Sequence, residues 1–359
     1  MEAQKYVWDG AIPLQIHLHE SQVTTLPPPP PALILAPRIG YLPLLASLLK
    51  PYFSSTLPPG VDTIWFDYNG LPLKWYIPTG VLFDLLCAEP ERPWNLTVHF
   101  RGYPGTVLIP CEGEDSVKWS YINSLKEAAY IMNGNCKNVM NMSQSDQLEL
   151  WHSVMNGNLE TYQRVSSKLK LATVEDEHTS LCSSKSQQGF GETDLAGQVK
   201  TGRVPVRLYV WSVSEDFDDL EDMPKVDSWE KISYINRPVE IHKEDKCFTL
   251  HDALKILVPE FFSNDLMNVK SAGVDFEDAL RIPSEDVSSD KVVEDHVQNA
   301  YEHREACSIS SSAEIKLIRI QGIEPKLEIP FSWVVNNLMN PDYFLHICVC
   351  VKVPQQNST

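Results

Sequence analysis

The sequence contains no run of about 18 uninterrupted apolar residues, the length that a membrane-spanning helix needs. Its first residues, MEAQKYVWDGAIPLQIH, also lack the apolar core of a secretory signal peptide. These two absences lead us to expect a soluble, cytoplasmic protein.

Basic residues are scarce compared with acidic ones. The 359 residues include 30 Lys and Arg against 48 Asp and Glu, which gives a formal net charge of −18. Nonspecific binding to nucleic acid and adhesion of the whole surface to anionic lipid both need an excess of positive charge, so we expect neither. Hydrophobic residues still make up 43 % of the chain, enough for a packed core in two or three domains.

Paired cysteines and enzyme motifs are missing as well. The eight cysteines are scattered without a C-x-x-C pair, a distribution typical of reduced cytosolic thiols and not of a zinc site or a disulfide framework. No G-x-S-x-G, P-loop, G-x-G-x-x-G or H-E-x-x-H motif occurs. These absences agree with a non-enzyme that has no metal and no cofactor.

What the sequence does contain is an internal repeat. Residues 64–100 and 315–351 each have a β-rich run, a glycine turn, a second run that ends at proline, a short amphipathic helix and a final apolar strand. The turn glycine and the closing proline are eight residues apart in both copies, at Gly70 and Pro78 and at Gly322 and Pro330.

A matching prelude of two strands and a helix precedes each copy. The second prelude helix has an N-cap candidate at Thr249. Each half therefore runs strand, strand, helix, strand, strand, short helix, strand. This order predicts an α+β fold with two ubiquitin-like β-grasp domains, in which a mixed sheet packs a helix on one face.

The segment between the halves is helical in period. In SVKWSYINSLKEAAYIM (116–132), Ser116 is a plausible N-cap, Gly134 is a stop signal, and one apolar stripe is formed by Tyr121, Ile122, Leu125, Ala129 and Met132. Lys126 lies at the rim of this stripe, where its methylenes can pack while the amine stays in water. These residues alone are typical of a solvated surface lysine.

The domain boundaries follow from these patterns. Polar stretches without apolar periodicity predict a linker and two solvated insertions in the second half. We predict a first ubiquitin-like domain at 1–110, a helix-rich domain at 111–172, a flexible linker at 173–202, and a second ubiquitin-like domain at 203–354 with insertions at about 215–228 and 281–312.

Several long blocks resemble the autophagy protein 5 family, and the chain resembles its plant members because its inserts are long, although the inserts themselves fall outside the resemblance. The blocks are VWDGAIPL (7–14), LAPRIGYLPLL (35–45), IWFDYNGLPLKWYIPTGVLFDLLC (64–87), PWNLTVHFRGYP (93–104), SLKEA (124–128) and QGIEPKLEIPFSWVVNNLMNPDYFLHI (321–347). The resemblance implies two ubiquitin-like domains that flank a helix-rich domain, with no active site.

The resemblance also implies a specific function. The lysine of the KEA motif, here Lys126, would receive the C-terminal glycine of the ubiquitin-like autophagy protein 12 through an isopeptide bond. The conjugate would bind a helix of autophagy protein 16 in a groove between domains. It would then act like a ligase on the E2-like autophagy protein 3, so that autophagy protein 8 is transferred to phosphatidylethanolamine. The expected location is the cytoplasm, peripherally on autophagosome precursor membranes.

The position of Lys126 suits this chemistry. An acceptor lysine must present a neutral amine to a thioester, which favours an exposed lysine over a buried or paired one. The neighbouring Glu127 would keep the amine protonated if the two paired. Adjacent residues diverge on a helix, so we expect no such pair.

Two other pairs of side chains are candidate sites. His17 and His19 share one side of a strand, but no third metal ligand stands at a recognisable spacing. Cys348 and Cys350 also share a strand face, which favours a core position over a disulfide.

Two other functions compete with a conjugated scaffold. One is a ubiquitin-like adaptor that binds partners without being modified. The other is a cytosolic thiol hydrolase using Cys87 and His99, which no motif-like spacing supports.

Overall fold

The computed structural model describes residues 2–57, 60, 63–169, 171, 202–213, 223–241, 248–262 and 314–352. The insertion at 281–312 and the predicted linker at 173–202, apart from its last residue, Gly202, lie outside the described residues, as does most of the insertion at 215–228. No helix in the described part of the chain is long and apolar enough to cross a membrane.

The first half forms a five-stranded sheet after a short N-terminal helix. Its elements are α1 (Glu2–Trp8), β1 (Ala11–Leu18), β2 (Ala32–Pro37), α2 (Ala46–Phe53), β3 (Trp65–Tyr68), β4 (Leu71–Pro72), α3 (Thr79–Leu86) and β5 (Trp94–His99). The strand order is β2-β1-β5-β3-β4, with β1 and β5 parallel and the other pairs antiparallel. This is the β-grasp order that the repeat predicts.

The middle of the chain is a bundle of helices. These are α4 (Glu114–Asn133), α5 (Lys137–Met140), α6 (Gln144–Met155) and α7 (Leu159–Ser166). Gly134 ends α4 in a left-handed conformation (φ 71°), as predicted. The predicted N-cap is wrong, because α4 begins at Glu114 after Gly113, and the Ser116 hydroxyl instead accepts a hydrogen bond from the Glu112 backbone N–H.

The second half repeats the first with four strands. Its elements are β6 (Arg203–Val213), β7 (Ile232–Glu240), α8 (Leu250–Leu257), β8 (Glu314–Arg319), α9 (Phe331–Leu338) and β9 (Leu345–Lys352). The strand order is β7-β6-β9-β8, with β6 and β9 parallel. Thr249 caps α8 in a capping box with Asp252, as predicted.

The repeat extends to the conformation of the turn before each short helix. Asn69 and Gly70 have φ of 51° and 81°, and Gln321 and Gly322 have φ of 54° and 75°. Two consecutive positive φ angles are the signature of a type I′ hairpin turn. The run after Gly322 was predicted to be a strand and forms only two isolated bridges, Ile323 with Ile320 and Pro330 with Thr249, since Pro325 soon follows without a backbone donor.

The second sheet is covered on both faces. On one face of β6, Val206 and Leu208 pack with the helices α8 and α9. On the other face, Tyr209 and Trp211 join the core of the first half. Residues of both halves therefore share one hydrophobic core.

The prediction of a solvated insertion at 215–228 is wrong for the part that the structure describes. Met223 and Val226 are buried in the core that the two halves share. Trp229, which follows them, donates a 2.7 Å hydrogen bond from Nε1 to the Pro72 carbonyl of the first half. The acidic composition of this segment concealed two core residues, because burial depends on single apolar side chains and not on mean polarity.

Candidate conjugation site

The candidate acceptor Lys126 lies in the middle of α4, at the edge of its buried face. Leu125 and Ala129 are fully buried in the helical core, and Ile122 is nearly so. Lys126 itself is half-buried, and its Nζ lies 3.5 Å from Oδ1 of Asn123, one turn earlier. The predicted apolar stripe is therefore confirmed, and the lysine lies at its rim.

Large exposed side chains flank Lys126 along the same side of α4. Trp119 precedes it by two turns and is 54 % exposed, and Tyr130 follows it by one turn and is 63 % exposed. Residues spaced by three, four and seven positions lie on one side of a helix. The half-buried Lys126 thus lies between two large side chains that are exposed to solvent.

The carboxylate of Glu127, next to Lys126 in sequence, is held by the second half of the chain. Its Oε2 accepts a 2.9 Å hydrogen bond from Nη2 of Arg207 on β6, which is also an ion pair. Its Oε1 accepts a 2.6 Å hydrogen bond from Nδ2 of Asn236 on β7. Both oxygens are engaged away from Lys126, in agreement with our expectation that Lys126 and Glu127 do not pair.

Arg207 connects this helix to a buried acidic residue. Its Nη1 donates to the Ser124 hydroxyl at 3.1 Å and lies 3.4 Å from Oδ2 of Asp342. Its guanidinium carbon lies 3.7 Å from the centre of the Phe344 ring, a cation–π contact. One arginine thus ties the turn of α4 that carries Lys126 to the start of β9.

Asp342 is the buried counter-charge of Arg207. Burial alone would raise its pKa, but the His346 imidazole, 3.6 Å away, and the Arg207 guanidinium together hold the pKa of Asp342 below its usual value. Burial lowers the pKa of His346 despite this carboxylate. Asp342 therefore carries its charge, and Arg207 is the permanent cation that compensates it.

A second polar network joins the two sheets. Arg38, which follows β2, forms a 2.5 Å ion pair with Asp84 on α3. Oδ2 of Asp84 also accepts a 2.7 Å hydrogen bond from the backbone N–H of Gly322, in the turn of the second half. Arg319 of β8 donates to the carbonyls of Cys87 and Ala88 just beyond the end of α3. These contacts fix the relative position of the two ubiquitin-like halves.

Three family models match consecutive parts of the chain. They describe the UblA domain, the alpha-helical bundle region and the UblB domain of Autophagy protein ATG5, and they match residues 7–100, 114–172 and 203–349. The chain is 64 % identical over 359 residues to an autophagy protein 5 of Arabidopsis thaliana, covering 99 % of each. The chain belongs to the autophagy protein 5 family.

Other relatives agree with this assignment. An autophagy protein 5 of Oryza sativa subsp. indica is 57 % identical, covering 98 % of this chain and 94 % of the relative. The crystal structure of Kluyveromyces marxianus Atg5 covers 97 % of this chain and 99 % of its own, with a TM-score of 0.59 at 20 % identity. The predicted resemblance to plant members of the family and the predicted fold class are both confirmed.

The thiol and imidazole proposed for a hydrolase lie on opposite faces of the first sheet. The Cys87 thiol lies 3.5 Å from the hydroxyl of Tyr68, whereas His99 Nε2 lies 2.5 Å from Oδ2 of Asp67. Tyr68 and Asp67 are adjacent on β3, so their side chains point to opposite faces. Burial raises the pKa of Cys87 to about 12. This family member cannot use the two residues as a nucleophile–base pair.

The remaining candidate pairs are structural. Cys348 and Cys350 are both buried in the shared core, as predicted. His17 Nε2 lies 3.0 Å from the Gln15 amide, and His19 Nδ1 lies 2.8 Å from the Ser21 hydroxyl. In the described part of the chain, no three His, Cys, Asp or Glu side chains come together as metal ligands.

The site residue that sequence analysis missed is Arg207. A signal for it exists, because it is the one charged residue in the otherwise apolar run VPVRLYVW. A charge within a buried strand requires a partner. The sequence does not reveal which partner, since Glu127 and Asp342 are remote from Arg207 along the chain.

Proposed function

We propose that this chain is a non-enzymatic scaffold of autophagy that becomes conjugated through Lys126 to the ubiquitin-like autophagy protein 12. The observation that carries the proposal is the position of the Lys126 amine within the match to the helical bundle region. It lies at an open rim of α4, and the carboxylate next to it is occupied by Arg207 and Asn236.

The chemistry is the aminolysis of a thioester. The neutral Nζ of Lys126 attacks the carbonyl carbon of the glycine thioester, the new C–N bond forms, and the C–S bond to the conjugating enzyme breaks. The thiolate leaves, and the amine loses one proton to solvent. No oxidant or metal is needed, so the acceptor has to supply only an accessible neutral amine.

The conjugate acts through its partners. A helix of autophagy protein 16 lies in an apolar groove between domains, a mode of binding that needs only apolar anchors and a matching channel. The assembly recruits and stimulates the E2-like autophagy protein 3, so that autophagy protein 8 is transferred to phosphatidylethanolamine. It works in the cytoplasm and at the surface of autophagosome precursor membranes.

The test is a Lys126→Arg variant in cells that lack the endogenous chain, followed by a denaturing blot. Arginine keeps the charge and much of the length but cannot be the acyl acceptor. The wild-type chain should give a stable band of higher mass, and the variant should lose both this band and lipidated autophagy protein 8.

Lys118→Arg is the matched control, because Lys118 is a second half-buried lysine on α4. It should conjugate like the wild type. A single band at the mass of the free chain in wild-type cells would favour the unmodified adaptor. A shifted band that persists in Lys126→Arg would place the attachment elsewhere.

A further inference from the structure

The candidate acceptor lysine lies beside a carboxylate that two residues from another domain hold by hydrogen bonds. Lys126 and Glu127 both lie in the helical bundle, whereas Arg207 and Asn236 lie on paired strands of the second ubiquitin-like half. Arg207 and Asn236 are directly opposite each other in the β6–β7 register. They therefore meet the Glu127 carboxylate together, one at each oxygen.

We propose that Arg207 and Asn236 are positioning residues for conjugation: together they hold Glu127, and Arg207 offsets part of its charge, so that Lys126 can react as a neutral amine. This inference rests on the proposed conjugation at Lys126. It assigns to the second ubiquitin-like domain a direct influence on the reactivity of a lysine in a different domain.

The link between the two side chains is electrostatic. Adjacent positions on a helix do not favour direct contact, but charges act on one another without contact, over a screening length of about 8 Å at physiological ionic strength. An uncompensated carboxylate at Glu127 would stabilise the ammonium form of Lys126 and so reduce the fraction of neutral amine. The Arg207 guanidinium weakens this effect by pairing with Glu127, although it shares its charge with the buried Asp342.

Arg207 and Asn236 together form a clamp on the Glu127 carboxylate. Other ionisable groups around this clamp do not replace Arg207. Asp342, Tyr209 and Tyr234 face its guanidinium together with Glu127, and His346 lies against Asp342. Asp342 is an anion, and burial disfavours the charged forms of Tyr209 and His346. None of these four groups is a permanent cation, whereas Arg207 is one and pairs with Glu127.

The clamp also has a mechanical part, which a test must separate from the electrostatic one. Ser124 and Glu127, one turn apart on α4, are both bonded to Arg207. Loss of Arg207 could therefore shift α4 as well as release the carboxylate. Removing the charge of Glu127 in the same variant distinguishes the two, because it cancels the electrostatic effect and cannot repair a lost anchor.

The experiment measures the initial rate of conjugation between pH 6 and 9 with purified conjugating enzymes and the full chain. The variants are Arg207→Gln and Asn236→Ala, each alone and combined with Glu127→Gln. Asn236→Ala leaves the buried Asp342 paired, so it tests the proposal even if Arg207→Gln fails to fold. The control is Arg203→Gln, which removes an exposed ion pair with Glu240 on the same two strands (2.7 Å).

We expect Arg207→Gln to lower the rate at pH 7 by ~3–10-fold and Asn236→Ala to lower it less, with the rising limb of the pH profile moved to higher pH in both. Glu127→Gln should restore the rate and the limb in each background, and Arg203→Gln should match the wild type. An unchanged rate in both single variants would overturn the proposal. So would a slower rate that Glu127→Gln does not restore. Conjugation of a Lys126→Arg chain would instead reject the proposed attachment site itself.

Discussion

The Asp84 carboxylate on α3 accepts a 2.7 Å hydrogen bond from the backbone N–H of Gly322, 238 residues further along the chain. The same oxygen pairs with Arg38, whose side chain lies against Gly322. A helix of one ubiquitin-like half is thus bonded to the hairpin turn of the other. Each half has a copy of this hairpin turn, and the copy that makes this contact is the one in the second half.

Gly322→Ala should therefore cost more stability than Gly70→Ala, although both glycines occupy the same turn position with φ near 80°. A Cβ at Gly322 would lie 2.8–3.0 Å from the Arg38 guanidinium, whereas a Cβ at Gly70 meets nothing within 4 Å. We expect a loss of about 1 kcal/mol at Gly70 from backbone strain, and about 2–3 kcal/mol at Gly322. Chemical denaturation measures the loss in free energy of unfolding for each variant. Equal losses would show that the contact with Arg38 does not destabilise the Gly322 variant.

Arg319 should be a second determinant of the contact between the halves. It is 3 % exposed and donates to the Cys87 and Ala88 carbonyls beyond the end of α3. Arg319→Met removes both donors, and each buried carbonyl left without a partner costs about 1–3 kcal/mol. The midpoint of thermal unfolding should fall accordingly.

The matched control for this prediction is Glu324→Gln, because Glu324 pairs with Arg319 at 2.9 Å from a side chain that is 55 % exposed. An exposed pair contributes less than about 1 kcal/mol, so the control should unfold close to the wild type. A larger loss in Glu324→Gln than in Arg319→Met would contradict this account.

The sequence predicted the elements well and their contacts poorly. The turn glycines and the prolines eight residues after them revealed the repeat, because local backbone geometry demands those residue types. The stripe through Leu125 predicted which side of α4 is buried, but not what covers it. Arg38, Asp84 and Gly322 meet only in the folded chain, and helical or strand periodicity carries no information on such distant pairs.

The buried thiols provide a test that depends on pH. Burial raises the pKa of both Cys87 and Cys350 to about 12. Since alkylation needs the thiolate, both should stay unmodified by iodoacetamide in the native protein at pH 8 and react once guanidinium unfolds the chain. The half-buried Cys136 serves as the internal control in peptide mass spectrometry. Rapid labelling of Cys87 in the native protein would contradict the raised pKa and favour the hypothesis of a thiol hydrolase.

The stripe on α4 allows a paired test at two adjacent residues. Leu125 is fully buried, and the side chain of Lys126 begins at the rim where the buried face ends. Leu125→Asp places an unpaired carboxylate in the helical core and should cost several kcal/mol, about 3–5, whereas Lys126→Asp should cost less than about 1 kcal/mol. Thermal melts of both variants beside the wild type measure the difference. Because the two substitutions introduce the same side chain one position apart, helix propensity hardly distinguishes them. The net charge changes more in Lys126→Asp, which removes a cation as well, so a lower midpoint for Leu125→Asp cannot come from charge and reports burial. Equal midpoints would mean that α4 is not packed through this face. The rim position of Lys126, on which the proposed conjugation rests, would then be wrong as well.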